Sequence, residues 1–183
     1  MKSFFENVFI VVYAIVAISV TVLLLSYNQY NCSEIGGKTF YIVNDRALEP
    51  IYQKGDLLII QNATDREVFV GDNVLLYKVI SSEEFEIVNG KILEKIQQGS
   101  HISYEIEEYG KFDSSYLIGK ENDTIVVHNL GTILGFLESQ WGYLFCIVIV
   151  SLLLFLQEVF DLFMELRYGD DEKKNDEKKA KEE

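Results

Sequence analysis

The chain has 183 residues and a formal charge of −13, so it is long enough for one small domain beside two apolar segments. An acidic chain repels phosphate backbones, which argues against nucleic-acid binding. Cys32, Cys146 and the two histidines, His101 and His128, are too dispersed for metal-ligand spacing. We therefore expect neither a disulfide nor a metal or other cofactor.

The first predicted element is a membrane-spanning helix at residues 8–27, which follows a short N-terminal segment at residues 1–7. The run contains no charged residue, and twenty helical residues span about 30 Å, the thickness of a hydrocarbon core. A cleaved signal peptide is the alternative. The run is long for such a peptide and no small-residue cleavage site follows it, so an uncleaved anchor is favoured.

Residues 28–140 are predicted to form a small antiparallel β domain. Segments rich in Ile, Val, Tyr and Phe alternate with glycine-containing turns, and no long amphipathic helical pattern interrupts them. The predicted strands cover residues 39–43, 56–61, 73–80, 85–88, 101–107 and 124–127. Asn31, Asn62 and Asn122 begin Asn-x-Ser/Thr sequons, which are glycosylation acceptors in a eukaryotic secretory membrane.

A second membrane helix is predicted at residues 141–157, where Trp141 and Tyr143 suit the membrane–water boundary. A buried core helix is the alternative. Apolar residues continue through 158–168, which we interpret as an amphipathic extension along the surface. Residues 169–183 carry no large apolar side chain, so a disordered charged tail is predicted there.

Two spans place both chain ends on the same side of the membrane. Lys2 precedes the first span, and Arg167 and the tail lysines follow the second. Basic residues favour the cytoplasmic side, so both ends are predicted to be cytoplasmic and the β domain extracytoplasmic.

Three segments in chain order carry a more specific pattern. Residues 41–60 contain Leu-Glu-Pro and then Gly-Asp between two apolar strands, residues 71–77 are Gly-Asp-Asn-Val-Leu-Leu-Tyr, and residues 130–135 are Leu-Gly-Thr-Ile-Leu-Gly. With the two-span layout, they resemble type I signal peptidases of the archaeal, endoplasmic-reticulum and sporulation branch. The resemblance covers residues 8–157. It implies a mainly β, signal-peptidase-like domain between two transmembrane helices, with residues 130–135 as its closing strand.

The resemblance places the family's nucleophile at Ala47 and its general base at Gly90. A methyl group has no oxygen to attack a carbonyl, and glycine has no side chain to accept a proton. Lys91 is an alternative base, but neighbouring strand residues face opposite sides, so it should point away from Ala47 unless Asn89-Gly90 forms a bulge.

Several other residues are candidates for parts of a catalytic site. Glu121 and Asp123 stand near the family's supporting acid. Two alternative bases remain, His101 and His128, although a lone histidine on a β domain is more often a surface or hydrogen-bonded residue. Three serines, Ser100, Ser114 and Ser115, do not have the spacing of nucleophiles. The enzyme is therefore predicted to be inactive.

A family member without its catalytic pair can still bind an extended peptide through strand edges and small pockets. The candidate groove residues lie on the strand before Ala47 and just after it: Phe40, Ile42, Val43, Leu48, Glu49 and Pro50. We therefore predict a non-cleaving pseudoenzyme in the lipid bilayer that binds or chaperones secreted or membrane polypeptides, together with other secretion or assembly proteins. The alternatives are an active serine-type signal peptidase with relocated catalytic residues and a structural subunit of a membrane complex.

Overall fold

The computed structural model describes residues 2–30, 32–81, 85–99 and 101–179, with side chains from residue 8 to residue 167. Asn31 and Ser100 lie outside the described residues. The chain divides into two compact units after Glu138.

The first unit begins with helix α1 (Lys2–Leu25). Its segment Val8–Leu25 is long and apolar enough to cross a membrane. The hydroxyl groups of Ser19 and Thr21 donate to the carbonyl oxygens four residues earlier, at 2.7 Å in both cases. These two hydroxyl groups are therefore satisfied within the helix, which suits a segment in hydrocarbon.

A mainly β domain follows, as the sequence predicts. Within the described residues, eight strands form one antiparallel sheet in the order β1-β2-β3-β8-β4-β5-β6-β7. The strands are β1 (Ser33–Ile35), β2 (Lys38–Ile42), β3 (Leu57–Asn62), β4 (Asn73–Val79), β5 (Phe85–Gln98), β6 (His101–Ile106), β7 (Gly110–Asp113) and β8 (Leu117–Val127). A 3-10 turn at Ser114–Tyr116 joins β7 to β8. The sequence analysis missed β1 and β7, which are short.

Strands β5 and β8 are long because each pairs with two partners in succession. The first part of β5 pairs with β4 and the second part with β6, whereas β8 pairs first with β4 and then with β3. Asn89-Gly90, a frequent turn dipeptide, lies inside β5 because its neighbours on both sides continue the ladder.

The sheet separates two groups of buried side chains. The first core contains Cys32, Val43, Leu48, Tyr52, Leu58, Ile60, Leu75, Tyr77, Ile87 and Ile118. The second core contains Val68, Val74, Leu76, Val88, Ile92, Tyr104 and Ile106. Successive residues of a strand face opposite sides, so Leu75 and Leu76 enter different cores.

The domain closes with a helix where the resemblance implies a strand. Helix α2 (Leu130–Glu138) follows Asn129, whose φ of 61° ends the extended conformation of β8. Gly131 packs so closely on the β3 entrance that a Cβ there would lie 2.5 Å from the carbonyl oxygen of Asp56. The closing strand is therefore β8, and residues 130–135 belong to a helix.

The second unit is a continuous helical stretch. It consists of α3 (Gln140–Gly142), a π-helical segment (Tyr143–Ile149) and α4 (Val150–Lys179). Residues 140–167 are long and apolar enough to cross a membrane. The Ser139 hydroxyl caps the start by accepting from the N–H of Gly142 at 3.1 Å.

The helix after residue 140 differs from the sequence-based prediction in two segments. The span predicted at 141–157 and the extension predicted at 158–168 form one helix, and the tail predicted to be disordered from 169 is helical to Lys179. After Gly169 the chain consists largely of Glu, Lys, Asp and Ala. Such a composition cannot bury a core, but Glu, Lys and Ala favour helix, and acid–lysine pairs four residues apart add support.

Candidate functional site

The loop at residues 44–55 projects from the end of the β2–β3 hairpin. At its base, the N–H of Val43 donates to the carbonyl oxygen of Asp56 at 2.9 Å, and the N–H of Gly55 donates to that of Val43 at 2.8 Å. Gly55 has a φ of 93°, a backbone conformation that residues with a side chain rarely adopt. The loop is therefore tied at both ends to the sheet.

Ala47 lies exposed on this loop, just before two buried anchors. Leu48 and Tyr52 are each only 3% exposed and belong to the first core. The N–H of Ala47 donates to the Asp45 carboxylate at 2.8 Å, which orders the backbone just before Leu48. The methyl group of Ala47 consequently faces the surface where the resemblance places a nucleophile.

The sequence predicts that position 90 on β5 faces Ala47 and that Lys91 points away from it. The structure shows the opposite directions. A Cβ at Gly90 would lie 2.4 Å from Cγ2 of Ile106, so this position faces the second core. The β4–β5 register is regular from residue 85 to residue 91, and its bulge comes only after Ile92. Asn89 and Lys91 therefore face the other side, which Leu48 and Tyr52 also occupy, and a side chain at position 90 would point away from that side.

A polar pair lies on that side. The Asn89 amide donates to Oε2 of Glu121 at 2.8 Å, which joins β5 to β8. Oδ1 of Asn89 is buried and has no hydrogen-bond partner among the described protein atoms. Of the two acids that the sequence indicates, the structure brings Glu121 to this site, whereas Asp123 lines a separate depression with Gln61 and Lys120.

The hydroxyl of Tyr52 is the second buried polar atom without a hydrogen-bond partner in the described residues. Burial raises the pKa of Tyr52, and the charge of Glu121 acts in the same direction. The Thr124 hydroxyl acts in the opposite direction on the pKa of Tyr52, and it donates to the carbonyl oxygen of Lys120 at 2.8 Å.

A cavity of about 210 Å³ brings the loop and β5 together. Its lining consists of Ile51 from the loop, Asn73, residues 89–91 of β5, and Glu107 and Glu108. None of these lining residues carries a hydroxyl, thiol or imidazole group. The cavity therefore offers one amine, Lys91, and no nucleophile beside it.

The two histidines are each held by a carboxylate elsewhere in the domain. Nδ1 of His128 lies 3.0 Å from Oδ1 of buried Asp56. Burial acts to raise the pKa of Asp56, but hydrogen bonds from the Gln53 backbone, His128 and the Asn129 backbone outweigh it, so this pKa is lowered. The arrangement fixes the start of β3 and the end of β8.

The second histidine does not form a catalytic triad. Nε2 of His101 lies 2.8 Å from Asp113, and the backbone N–H of Ser115 donates to the same carboxylate at 2.8 Å. In a hydrolytic triad the histidine must contact the nucleophile directly, whereas here Asp113 stands between His101 and Ser115. Ser114 lies in the same 3-10 turn, which Asp113 caps.

The strand before the loop has an open edge. Within the described residues, which leave out Asn31, β1 pairs only with residues 38–40 of β2. Residues along an antiparallel strand direct their N–H and C=O groups alternately to one side and the other. The backbone groups of Val43 bond toward β3. The N–H and C=O groups of Ile42 and Asn44 therefore point away from β3, beyond the end of β1.

A cavity of about 80 Å³ lies beside this edge. Phe40, Tyr41, Ile42 and Asn44 line it together with Leu23, Tyr27, Ser33, Leu57, Leu134 and Glu138. The Tyr27 hydroxyl donates to Oε2 of Glu138 at 2.8 Å. Burial raises the pKa of Glu138, although this hydrogen bond lowers it.

The predicted groove residues therefore separate into three groups. Phe40 and Ile42 line the cavity. Val43 and Leu48 are 1% and 3% exposed in the first core, so their side chains cannot line a groove. Glu49 and Pro50 are exposed on the loop and joined by a cis peptide bond. The sequence analysis missed Asn44 and Asn89, whose placement depends on strand register.

A scan against protein-family models finds no family that matches the chain, and a search of curated proteins finds no match either.

Proposed function

We propose that this is a membrane-anchored, signal-peptidase-like protein that binds an extended polypeptide segment along the open edge of β2 and does not cleave it. The observation that carries the proposal is the edge at Ile42 and Asn44, which no described residue pairs, next to the small cavity. Addition of a strand to such an edge supplies backbone hydrogen bonds, and the adjacent pocket supplies selectivity.

The cavity limits which side chain the bound segment can present. An engineered protein cavity of about 150 Å³ holds benzene, and this one has about half that volume. A small aliphatic side chain, such as alanine or valine, is therefore preferred beside the edge. Larger aromatic side chains do not fit without movement of Leu134 or Tyr41.

The anchoring is supported by the two apolar helices, Val8–Leu25 and Gln140–Arg167. They flank the β domain in sequence, and the basic residues near the chain ends favour a cytoplasmic location for both ends. The bound segment is then a secreted or membrane polypeptide that reaches the extracytoplasmic surface.

Binding is tested with the purified full chain in detergent. The probe is an alanine-rich signal-peptide segment with one photo-activatable residue. Asn44→Pro removes an edge N–H and places a ring on the edge, while residue 43 keeps its extended conformation. The matched control, Asn44→Ala, keeps the N–H. We expect Asn44→Pro to weaken crosslinking about tenfold, the cost of one well-formed hydrogen bond at its upper range. Equal crosslinking by both variants would remove the edge from the mechanism.

Cleavage of a membrane-embedded preprotein by the unmodified chain would support the active-peptidase alternative instead. A double variant tests whether only side chains are missing. Ala47→Ser with Asn89→His places an imidazole on the side that the loop covers and beside Glu121, whereas Ala47→Ser with Gly90→His directs it into Ile106. We expect any restored cleavage only from the first pair.

A further inference from the structure

Helix α2 has one face against the domain and one apolar face exposed. Gly131 and Gly135 lie on the inner face, where a Cβ on Gly135 would meet Ile42 at 3.8 Å. On the outer face, Ile133 and Phe136 are 58% and 61% exposed. Residues 130–137 carry no charge. A helix surface facing water usually carries polar side chains, so this face is suited to an apolar environment.

The position of α2 relative to α1 indicates what that environment is. Leu23 and Tyr27, at the end of α1, line the same cavity as Leu134 and Glu138 of α2. The hydrogen bond from Tyr27 to Glu138 fixes this contact. α2 therefore lies beside the last turn of α1, which is where a spanning helix leaves the hydrocarbon region.

The outer face of the neighbouring sheet is also apolar. In the β2–β3–β8 register, residues on this face pair as Phe40 with Ile59, Ile42 with Leu57, Ile59 with Ile125 and Leu57 with Val127. Ile125 is 57% exposed. The apolar surface of α2 is thus not an isolated patch, because the sheet face beneath and beside it has the same character.

We infer that α2 lies in the membrane–water interface, with Ile133 and Phe136 inserted among the lipids. A short helix at the end of a span, whose single ionisable residue is its last, Glu138, can bury its apolar face at the headgroup–acyl boundary. The inference rests on the proposed membrane anchoring and is independent of peptide binding. Its consequence is that the open edge of β2, which α2 contacts, is held close to the bilayer surface.

The test uses single-tryptophan variants of the full chain in phosphatidylcholine vesicles. Trp141 is the only tryptophan, so Trp141→Phe gives the background. Phe136→Trp reports on α2, and Ile15→Trp reports on α1, where Ile15 is 59% exposed. Lys111→Trp, on exposed β7, is the control for a water-facing position. The quenchers are lipids brominated on the acyl chains and aqueous iodide.

We expect brominated lipid to quench tryptophan at 136 and 15, and iodide to quench it at 111 only. Quenching at 15 by brominated lipid, with iodide quenching at 136, would refute the interfacial position of α2 and leave the anchoring intact. Loss of lipid quenching at both 15 and 136 would refute the anchoring as well. Protection of position 136 from both quenchers would assign the face to a protein partner and also overturn the inference. Ile133→Trp, on the same face, repeats the measurement if Phe136→Trp fails to fold.

Discussion

Gly90→Ala tests the direction in which β5 presents its side chains. The added Cβ would lie 2.4 Å from Cγ2 of Ile106, which real Cβ atoms do not tolerate. Ile106 is 1% exposed and β-branched, so its γ2 methyl group can move only if the packed side chain or the strand shifts. We therefore expect this conservative change to destabilise the β domain.

The expected magnitude combines two opposing terms. Overpacking of a core costs about 1–3 kcal/mol. Replacement of a strand glycine by alanine returns about 0.5–1 kcal/mol through backbone entropy. The net loss in the free energy of unfolding is therefore roughly 0–2.5 kcal/mol. In an Ile106→Leu background, which keeps the volume but removes the γ2 methyl group, the loss should shrink or reverse.

The free energy of unfolding is measured for the full chain in detergent, by guanidinium titration monitored with near-ultraviolet circular dichroism. Gly135→Ala is the matched control, because its Cβ would make only ordinary contacts at 3.8 Å in a helix and should stabilise by up to about 1 kcal/mol. If Gly90→Ala stabilises the native background as Gly135→Ala does, Gly90 does not face Ile106, and the assignment of Asn89 to the loop side is wrong.

Two further predictions concern pH. The lowered pKa of Asp56 means that its contribution to stability is present above its ordinary value of 3.8 and is lost as pH falls through the folded-state pKa. Asp56→Asn should therefore lower the free energy of unfolding at neutral pH and make it depend less on pH in the acid range. An unchanged pH dependence in acid would contradict the role of His128 and the Gln53 backbone. The raised pKa of Glu138 has the opposite sign, so stability should fall as pH rises from 4.5 through its folded-state pKa. Glu138→Gln, which can still accept a hydrogen bond from Tyr27, should be more stable than the native chain at neutral pH and equal to it in acid. A variant that is less stable at neutral pH would refute the cost of burying the Glu138 carboxylate.

Local composition was sufficient to predict the coarse architecture. The apolar runs predicted both long helices, and the Ile-, Val- and Tyr-rich segments between glycine turns predicted an antiparallel β domain, because periodicity and propensity depend on neighbours in the chain. The same reasoning failed for residues 169–179, where polar composition indicates the absence of a core and not the absence of a helix. It also failed for residues 130–135, because the left-handed turn at Asn129 ends the strand first.

The candidate site depended on pairing between distant strands. The sequence alone showed that Ala47 has no nucleophilic oxygen, since that is a property of one residue. Whether Gly90 or Asn89 faces the loop is set by the register of β5 against β4, and a one-residue difference reverses every side chain. Likewise, the backbone of Val43 bonds to Asp56, so the backbone of Asn44 points to the open edge. Chemistry that is missing from a single position can be recognised in the sequence, whereas the neighbours of a position are decided only when the strands pack together.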